Sequence, residues 1–412
     1  MDKSLHTVML DPAKCKGCVS CMKRCPTEAI RVRNGKATVL YERCIGCAEC
    51  VRVCPHQAKL PAYDSFDIIN NYKYKIALPA PSLYGQFQNL DSIDRVLNGL
   101  LMIGFDDVFE VSSAAELITE ATKKIIEEGK IKKPIISSAC PAVVELIIMG
   151  YHGLKDHIID TLAPVDVAAR LARERAIKNG IPEEDIGVFF ISPCPAKVFA
   201  LKTGMGLKKP CVDGVLSTSE VYLKLTAVMD KITELKPMAK SGASGVYWAS
   251  SSGEAIGTGL TRYLAADGME NVVTVLKDME NGKLNYIDFV ELNACTSGCV
   301  GGVLNIENPF VARARLRLLR QKLPKAENSI ESEGKPLDFY RWEEVPETKD
   351  VFRLDENRLL ALQKLDEIEK LLATLPLIDC GSCGAPSCKA FAEDVVNGVV
   401  DKNGCVRKNE NN

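Results

Sequence analysis

The sequence predicts an α/β protein, with a central domain of largely parallel sheets held between two cysteine-rich ends. Three observations lead to this. Short apolar or β-branched runs at 75–78, 134–137, 188–191 and 287–292 alternate with helix-like stretches such as VDVAARLARERAIK at 165–178, the pattern of strand–helix units wound into parallel sheets. Eight of the 17 cysteines fall between 15 and 54, and four more between 380 and 405. The other five are scattered through the middle, and three of these sit just past a predicted strand.

Composition narrows the class. A chain of 412 residues can bury a sizeable core in two or three domains. With 46% hydrophobic residues and a net charge of −2, nothing points to a nucleic-acid partner. The opening residues MDKSLHTVML carry no secretory pattern, and apolar stretches such as 97–105 are too short for a bilayer. The expectation is a cytoplasmic protein with no membrane partner. Disulfides rarely persist in that compartment, so so many cysteines point to metal ligation. The predicted domains are 1–62, 63–335 and 336–412.

The first domain repeats one spacing. Cys15, Cys18, Cys21 and Cys25 form C-x2-C-x2-C-x3-C before Pro26, and Cys44, Cys47, Cys50 and Cys54 repeat it before Pro55. This is the two-cluster ferredoxin arrangement, in which the fourth cysteine of each run serves the other cluster. Cys15, Cys18, Cys21 and Cys54 are therefore predicted to hold one [4Fe–4S], and Cys44, Cys47, Cys50 and Cys25 the second. Gly17 and Gly46 let the backbone approach. Two four-thiolate zinc sites are the alternative. The module is expected to be α+β, ferredoxin-like and electron-transferring.

At the other end, residues 357–375 space leucines as an amphipathic packing helix. Cys380, Cys383, Cys388 and Cys405 follow as C-x2-C-x4-C-x16-C. This stretch resembles the small helical four-cysteine iron–sulfur domain of several anaerobic redox proteins. The resemblance implies a third [4Fe–4S], with zinc again the alternative. The acidic stretch 324–350 has little periodicity and is expected to be a linker or surface excursion.

Cys140, Cys194, Cys211, Cys295 and Cys299 remain. A lone cysteine is most often a small buried hydrophobe. However, Cys140, Cys194 and Cys295 each follow a predicted strand end, where α/β folds gather their sites, and Cys299 lies four residues past Cys295. Four thiolates so placed would hold one more cluster.

The stretches SSACPAV (Cys140), SPCPAKVFA (Cys194, Lys197) and ELNACTSGCVGG (Cys295, Cys299, Gly301, Gly302) resemble the three signatures of the [FeFe]-hydrogenases. The likeness covers nearly the whole chain. It implies an α/β catalytic domain whose four cysteines hold a [4Fe–4S] joined through Cys299 to a two-iron unit with CO, cyanide and azadithiolate, the H-cluster. In ALPAPS, Pro81 and Ser82 would contact one cyanide, and Lys197 the other. A buried anionic ligand needs such donors. The implied chemistry is 2H⁺ + 2e⁻ ⇌ H2, with ferredoxin or a signalling redox partner taking electrons and maturation enzymes building the two-iron unit.

Departures from the family pattern cluster at one place. Ala139 stands where catalytic members carry the proton-transferring cysteine, and a methyl group moves no proton. In TEATKK, Glu120 is kept, but Lys123 replaces an acid. Ser192 and Asn293 stand for methionines, Ala200 for a glutamate and Val143 for a tryptophan. The set resembles the sensory branch of the family, which implies an oxygen-sensitive, slow-turnover H2 sensor. Cys211 and Glu254 are candidates for a substitute relay. The rival readings are an ordinary ferredoxin-linked bidirectional hydrogenase, an iron–sulfur assembly or scaffold protein lacking the two-iron unit, and a polyferredoxin.

Overall fold

The computed structural model describes residues 7–407. The described chain divides into two compact units. Residues 62–347 make one, and residues 8–61 and 348–407 together make the other. No helix among the described residues is long and apolar enough to cross a membrane.

The larger unit holds two wholly parallel sheets. In the four-stranded one, Asp107–Val108, Tyr74–Pro79, Ile186–Ser192 and Gly214–Ser217 lie side by side in that order. Every residue of Ile186–Ser192 is buried, as a strand covered on both faces requires. The period-2 alternation sorts its neighbours. Ile76, Leu78, Val188 and Phe190 pack with helices Val111–Glu127 and Pro164–Lys178. Ala77, Phe189 and Ile191 pack with helices Ile93–Met102 and Thr218–Met229 on the other face. The second sheet pairs Tyr263–Asp267 with Phe289–Asn293, and that strand with Ile135–Ile136. All four predicted strands form, and the predicted helix runs Pro164–Lys178.

The stretch expected to be a linker is built into this unit. The carbonyls of Pro324 and Lys325 accept from the amides of Ala243 and Ser244. Asn328 bonds Glu116, a capping box opens helix Ile330–Glu333, and Tyr340 is wholly buried. Its anchors are single polar contacts to distant segments, which leave no periodicity to read.

In the smaller unit, Val8–Leu10 pairs antiparallel with Lys59–Pro61, and Ile30–Arg33 with Lys36–Val39. The second hairpin turns at Asn34 and Gly35, both left-handed at φ +50° and +70°, the Asn-Gly signature of a tight hairpin. The C-terminal segment packs on this hairpin. Arg31 grips Asp394 through two bonds of 2.7 and 3.1 Å, and Arg33 adds a third at 2.5 Å. The amide of Val32 donates to the carbonyl of Gly384 at 2.9 Å, and Lys23 Nζ donates to the carbonyls of Asp379 and Pro386. The predicted amphipathic helix forms as Arg358–Leu372, capped by Asn357. As a packing helix it is lopsided, because Ile368 is buried while Leu359, Leu360, Leu362 and Leu365 are exposed.

Candidate active site and iron–sulfur centres

The carboxyl ends of the two parallel sheets deliver the site. Cys140 follows strand Ile135–Ile136 and caps helix Pro141–Gly150. Cys194 follows Ile186–Ser192 and caps helix Pro195–Thr203. In both, the next residue is proline at the first helical position, where its missing N–H costs nothing. Cys295 follows strand Phe289–Asn293, and Cys299 opens a short 3₁₀ turn. These four thiols lie close enough to act on one another: the charges of Cys194, Cys140 and Cys295 all bear on Cys299. Burial pushes the Cys299 and Cys194 thiols up, with the Lys197 ammonium opposing it at both. Ligation by iron deprotonates such thiols, so loading and proton release go together.

Among the described residues, two buried polar groups after these strands are under-partnered. Ser82, in the turn Pro81–Gln86 after strand Tyr74–Pro79, is fully buried with its hydroxyl unpaired. Lys197 is buried; its Nζ donates to the carbonyl of Ala139 at 2.9 Å, and among the described residues it forms no ion pair. A buried hydroxyl without a partner and a buried ammonium without a close ion pair are costly, so both fit an anionic group. Gly301 and Gly302 have a second explanation. A Cβ there would meet the carbonyl oxygens of Thr296 and Pro193 at 2.0 and 2.2 Å, so close backbone packing alone excludes a side chain.

Around Ala139 the structure separates the relay candidates. The Ala139 amide donates to Ser137 Oγ at 3.1 Å, and Ser137 Oγ donates to Glu254 Oε2 at 2.5 Å. Glu254 is buried beside Glu291, which accepts from the amides of Ser252 and Ala255 and from Asn293 Nδ2. Burial and the neighbouring carboxyl hold Glu254 well above the usual carboxylate range, and burial does the same to Glu291. Glu120 differs. Despite burial, Lys124 at 2.8 Å and the amide of Ile330 hold it below the ordinary range, as an ionised acceptor. Cys211 donates to Asp166 Oδ1 at 3.3 Å. Burial and Asp166 push the thiol up, and burial pushes Asp166 up to about 6. Ser192 Oγ donates to the carbonyl of Cys194, while Ala200 and Val143 are buried. Sequence reasoning missed Ser137, Asp166 and Glu291. Glu291 left a trace, as an acid in the otherwise apolar FVEL that follows Asp288.

In the smaller unit, Cys25, Cys44, Cys47 and Cys50 line one cavity. The charges of Cys18, Cys54 and Cys15 bear on Cys21. Gly17 and Gly46 are both left-handed, at φ +69° and +68°. Cys380, Cys383, Cys388 and Cys405 line another cavity.

Fold and cysteine architecture together fit an iron–sulfur protein, with four cysteines gathered past the carboxyl ends of parallel sheets. A family model described as the iron only hydrogenase large subunit, C-terminal domain, matches residues 73–253 and 226–303, more than half of the chain. The chain therefore belongs to the [FeFe]-hydrogenase-like family. A 4Fe-4S dicluster domain matches 7–55, and an Fe-S cluster domain 375–407. The periplasmic [Fe] hydrogenase large subunit of Nitratidesulfovibrio vulgaris is 25% identical over 72% of this chain and 86% of its own length. The nuclear prelamin A recognition factor of Mus musculus is 23% identical over 52% of this chain, and the match spans 58% of that relative. A Brugia malayi protein described as a cytosolic Fe-S cluster assembly factor is 24% identical over 60% of this chain and 65% of its own. A variant of [FeFe]-hydrogenase HydA1 from Chlamydomonas reinhardtii shares the fold, with TM-score 0.51 and 16% identity over 68% of this chain and 95% of that one.

Proposed function

We propose that the protein is an oxygen-sensitive, H2-binding redox protein that interconverts H2 with protons and electrons slowly, as a sensor does. Cys140, Cys194, Cys295 and Cys299 would hold the cluster, with Cys299 joining the two-iron unit. Ser82, beside Pro81, and Lys197 would receive its anionic ligands. When bound, that unit supplies the heterolytic cleavage of H2. One observation carries the reading: the Lys197 ammonium bears on Cys194 and Cys299 within the set of four thiols and donates to the carbonyl of Ala139, whose side chain is a methyl group instead of a proton carrier.

Ala139 can neither take nor give a proton. Glu254 reaches its amide through one hydroxyl, Ser137, and its raised affinity lets it hold a proton near neutral pH. We assign the residual proton path to Glu254 with Glu291. Glu120 is committed to Lys124 and Ile330, and Cys211 to Asp166. Electrons would leave through the ferredoxin clusters to a ferredoxin or a signalling redox partner, and the Cys380–Cys405 set would give a third [4Fe–4S]. Maturation enzymes would install the two-iron unit.

The infrared spectrum of anaerobically matured protein, before and after H2, tests this. Bands of iron-bound CO and cyanide that shift under H2 are expected. Their absence after competent maturation would favour the scaffold reading, which the likeness to an Fe-S assembly factor keeps in view. Fast turnover would favour the ordinary ferredoxin-linked hydrogenase.

A further inference from the structure

The two halves of the ferredoxin module differ in kind at one buried position. After each fourth cysteine the chain reads CPTEAI (25–30) and CPHQAK (54–59). The halves match in structure: the amide of Ala29 donates to Cys25 Sγ at 3.3 Å, and that of Ala58 to Cys54 Sγ at 3.2 Å. The next residue is Ile30 in one half and Lys59 in the other, 2% and 3% exposed. An apolar side chain suits that interior. The Lys59 ammonium is buried there, and among the described residues it has no hydrogen-bond partner.

A bare ammonium in a protein interior costs several kcal/mol unless an anion compensates it. The groups its charge reaches are thiols of both sets: Cys21 and Cys54 of one, Cys50 of the other. A [4Fe–4S] with four thiolates is an anion, and its reduction by one electron adds one negative charge. A fixed cation nearby favours that electron's arrival, and charge around a cluster is one of the factors that set its potential.

We propose that Lys59 is a potential-setting residue, a buried cation shared by the two ferredoxin clusters that raises the reduction potential of both. It makes the module a better electron acceptor, so electrons released at the active site are held rather than returned. The proposal rests on the cluster assignment of the preceding section.

Potentiometric titration of the anaerobically matured protein with dithionite, followed by electron paramagnetic resonance, tests it. Lys59→Ile, which copies Ile30, should move the midpoints of both ferredoxin clusters to more negative potential. Lys59→Arg should stay near the wild type, and the C-terminal cluster should not move in either. Full iron with unchanged midpoints in Lys59→Ile would overturn the proposal, as would equal shifts in the two variants. Should Lys59→Ile lose iron, Lys59→Gln against Lys59→Arg decides: lowered midpoints or lost clusters in the first alone support the cation, and equal behaviour overturns it. Wild-type iron content, measured first, separates a failure of the cluster assignment, which would take the proposal with it.

Discussion

The proposed cluster ligands and the proposed proton path meet at Ala139 and Cys140 in the larger unit, yet they are built differently. Cys140, Cys194 and Cys295 each follow a strand end of their own, and Cys299 opens a 3₁₀ turn just after Cys295. Cys140 and Cys194 repeat one device, strand–cysteine–proline–helix, so position follows from local sequence. The proton path is assembled from side chains on separate segments: Ser137 beside one strand, Glu254 on a short helix, Glu291 inside another strand. The difference teaches that cofactor binding and proton delivery can change independently. On the proposed reading all four cysteines are kept while Ala139 offers no titratable group.

The largest effect should fall on the ligand side. Cys299→Ala is expected to abolish the CO and cyanide infrared bands, and bands that persist would break the ligand assignment. On the proton side, Glu254→Gln should lower H2 turnover by roughly 10²–10⁴-fold, the usual scale of acid–base help, while leaving the bands in place. Loss of the bands as well would mean that the two functions are not separable.

A comparable energy is at stake in the smaller unit. Arg31 and Asp394 have side chains only 5% and 11% exposed, and breaking such a pair costs roughly 3–5 kcal/mol. Asp394→Ala should therefore lower the denaturant midpoint of that unit and loosen iron in the C-terminal set. Ala139→Cys should have a smaller effect, raising turnover about tenfold, equivalent to roughly 1.4 kcal/mol of barrier. No gain would show that Glu254 already suffices. The smallest effect concerns pH. Glu254 and Glu291 bind protons more tightly folded than unfolded, where a glutamate sits near ~4.3. Between that value and their raised folded values the native state holds more protons, so stability falls as pH rises through the window. Thermal melts should show that fall, and Glu254→Gln should flatten it.

The same contrast explains what could be read in advance. Four strand positions, the helix at 165–178 and the spacing of the cysteine sets follow from local pattern, and local pattern is what a sequence displays. Glu254 was legible only as a candidate, because its meaning depends on Ser137, a hydrogen bond across 117 positions. The stretch 324–350 looked like a linker because its anchors, Asn328 on Glu116 and the buried Tyr340, are isolated contacts without period. The union of the first and last segments left no trace at all. It hangs on Arg31, Arg33 and Asp394, single charges in ordinary surface-like surroundings. Lys59 was visible against Ile30 once the duplication was aligned, but only burial gives it meaning.

That union has a consequence for biogenesis. Arg31 and Asp394 are 363 positions apart. At a synthesis rate of about 5–20 residues per second, the hairpin waits roughly 20–70 s on the ribosome before its partner is made. The nascent ferredoxin segment must therefore be kept in a receptive state, with one flank uncovered, until the final stretch is translated. A pulse-chase with protease should find that segment vulnerable until the stretch holding Asp394 is made and protected soon after.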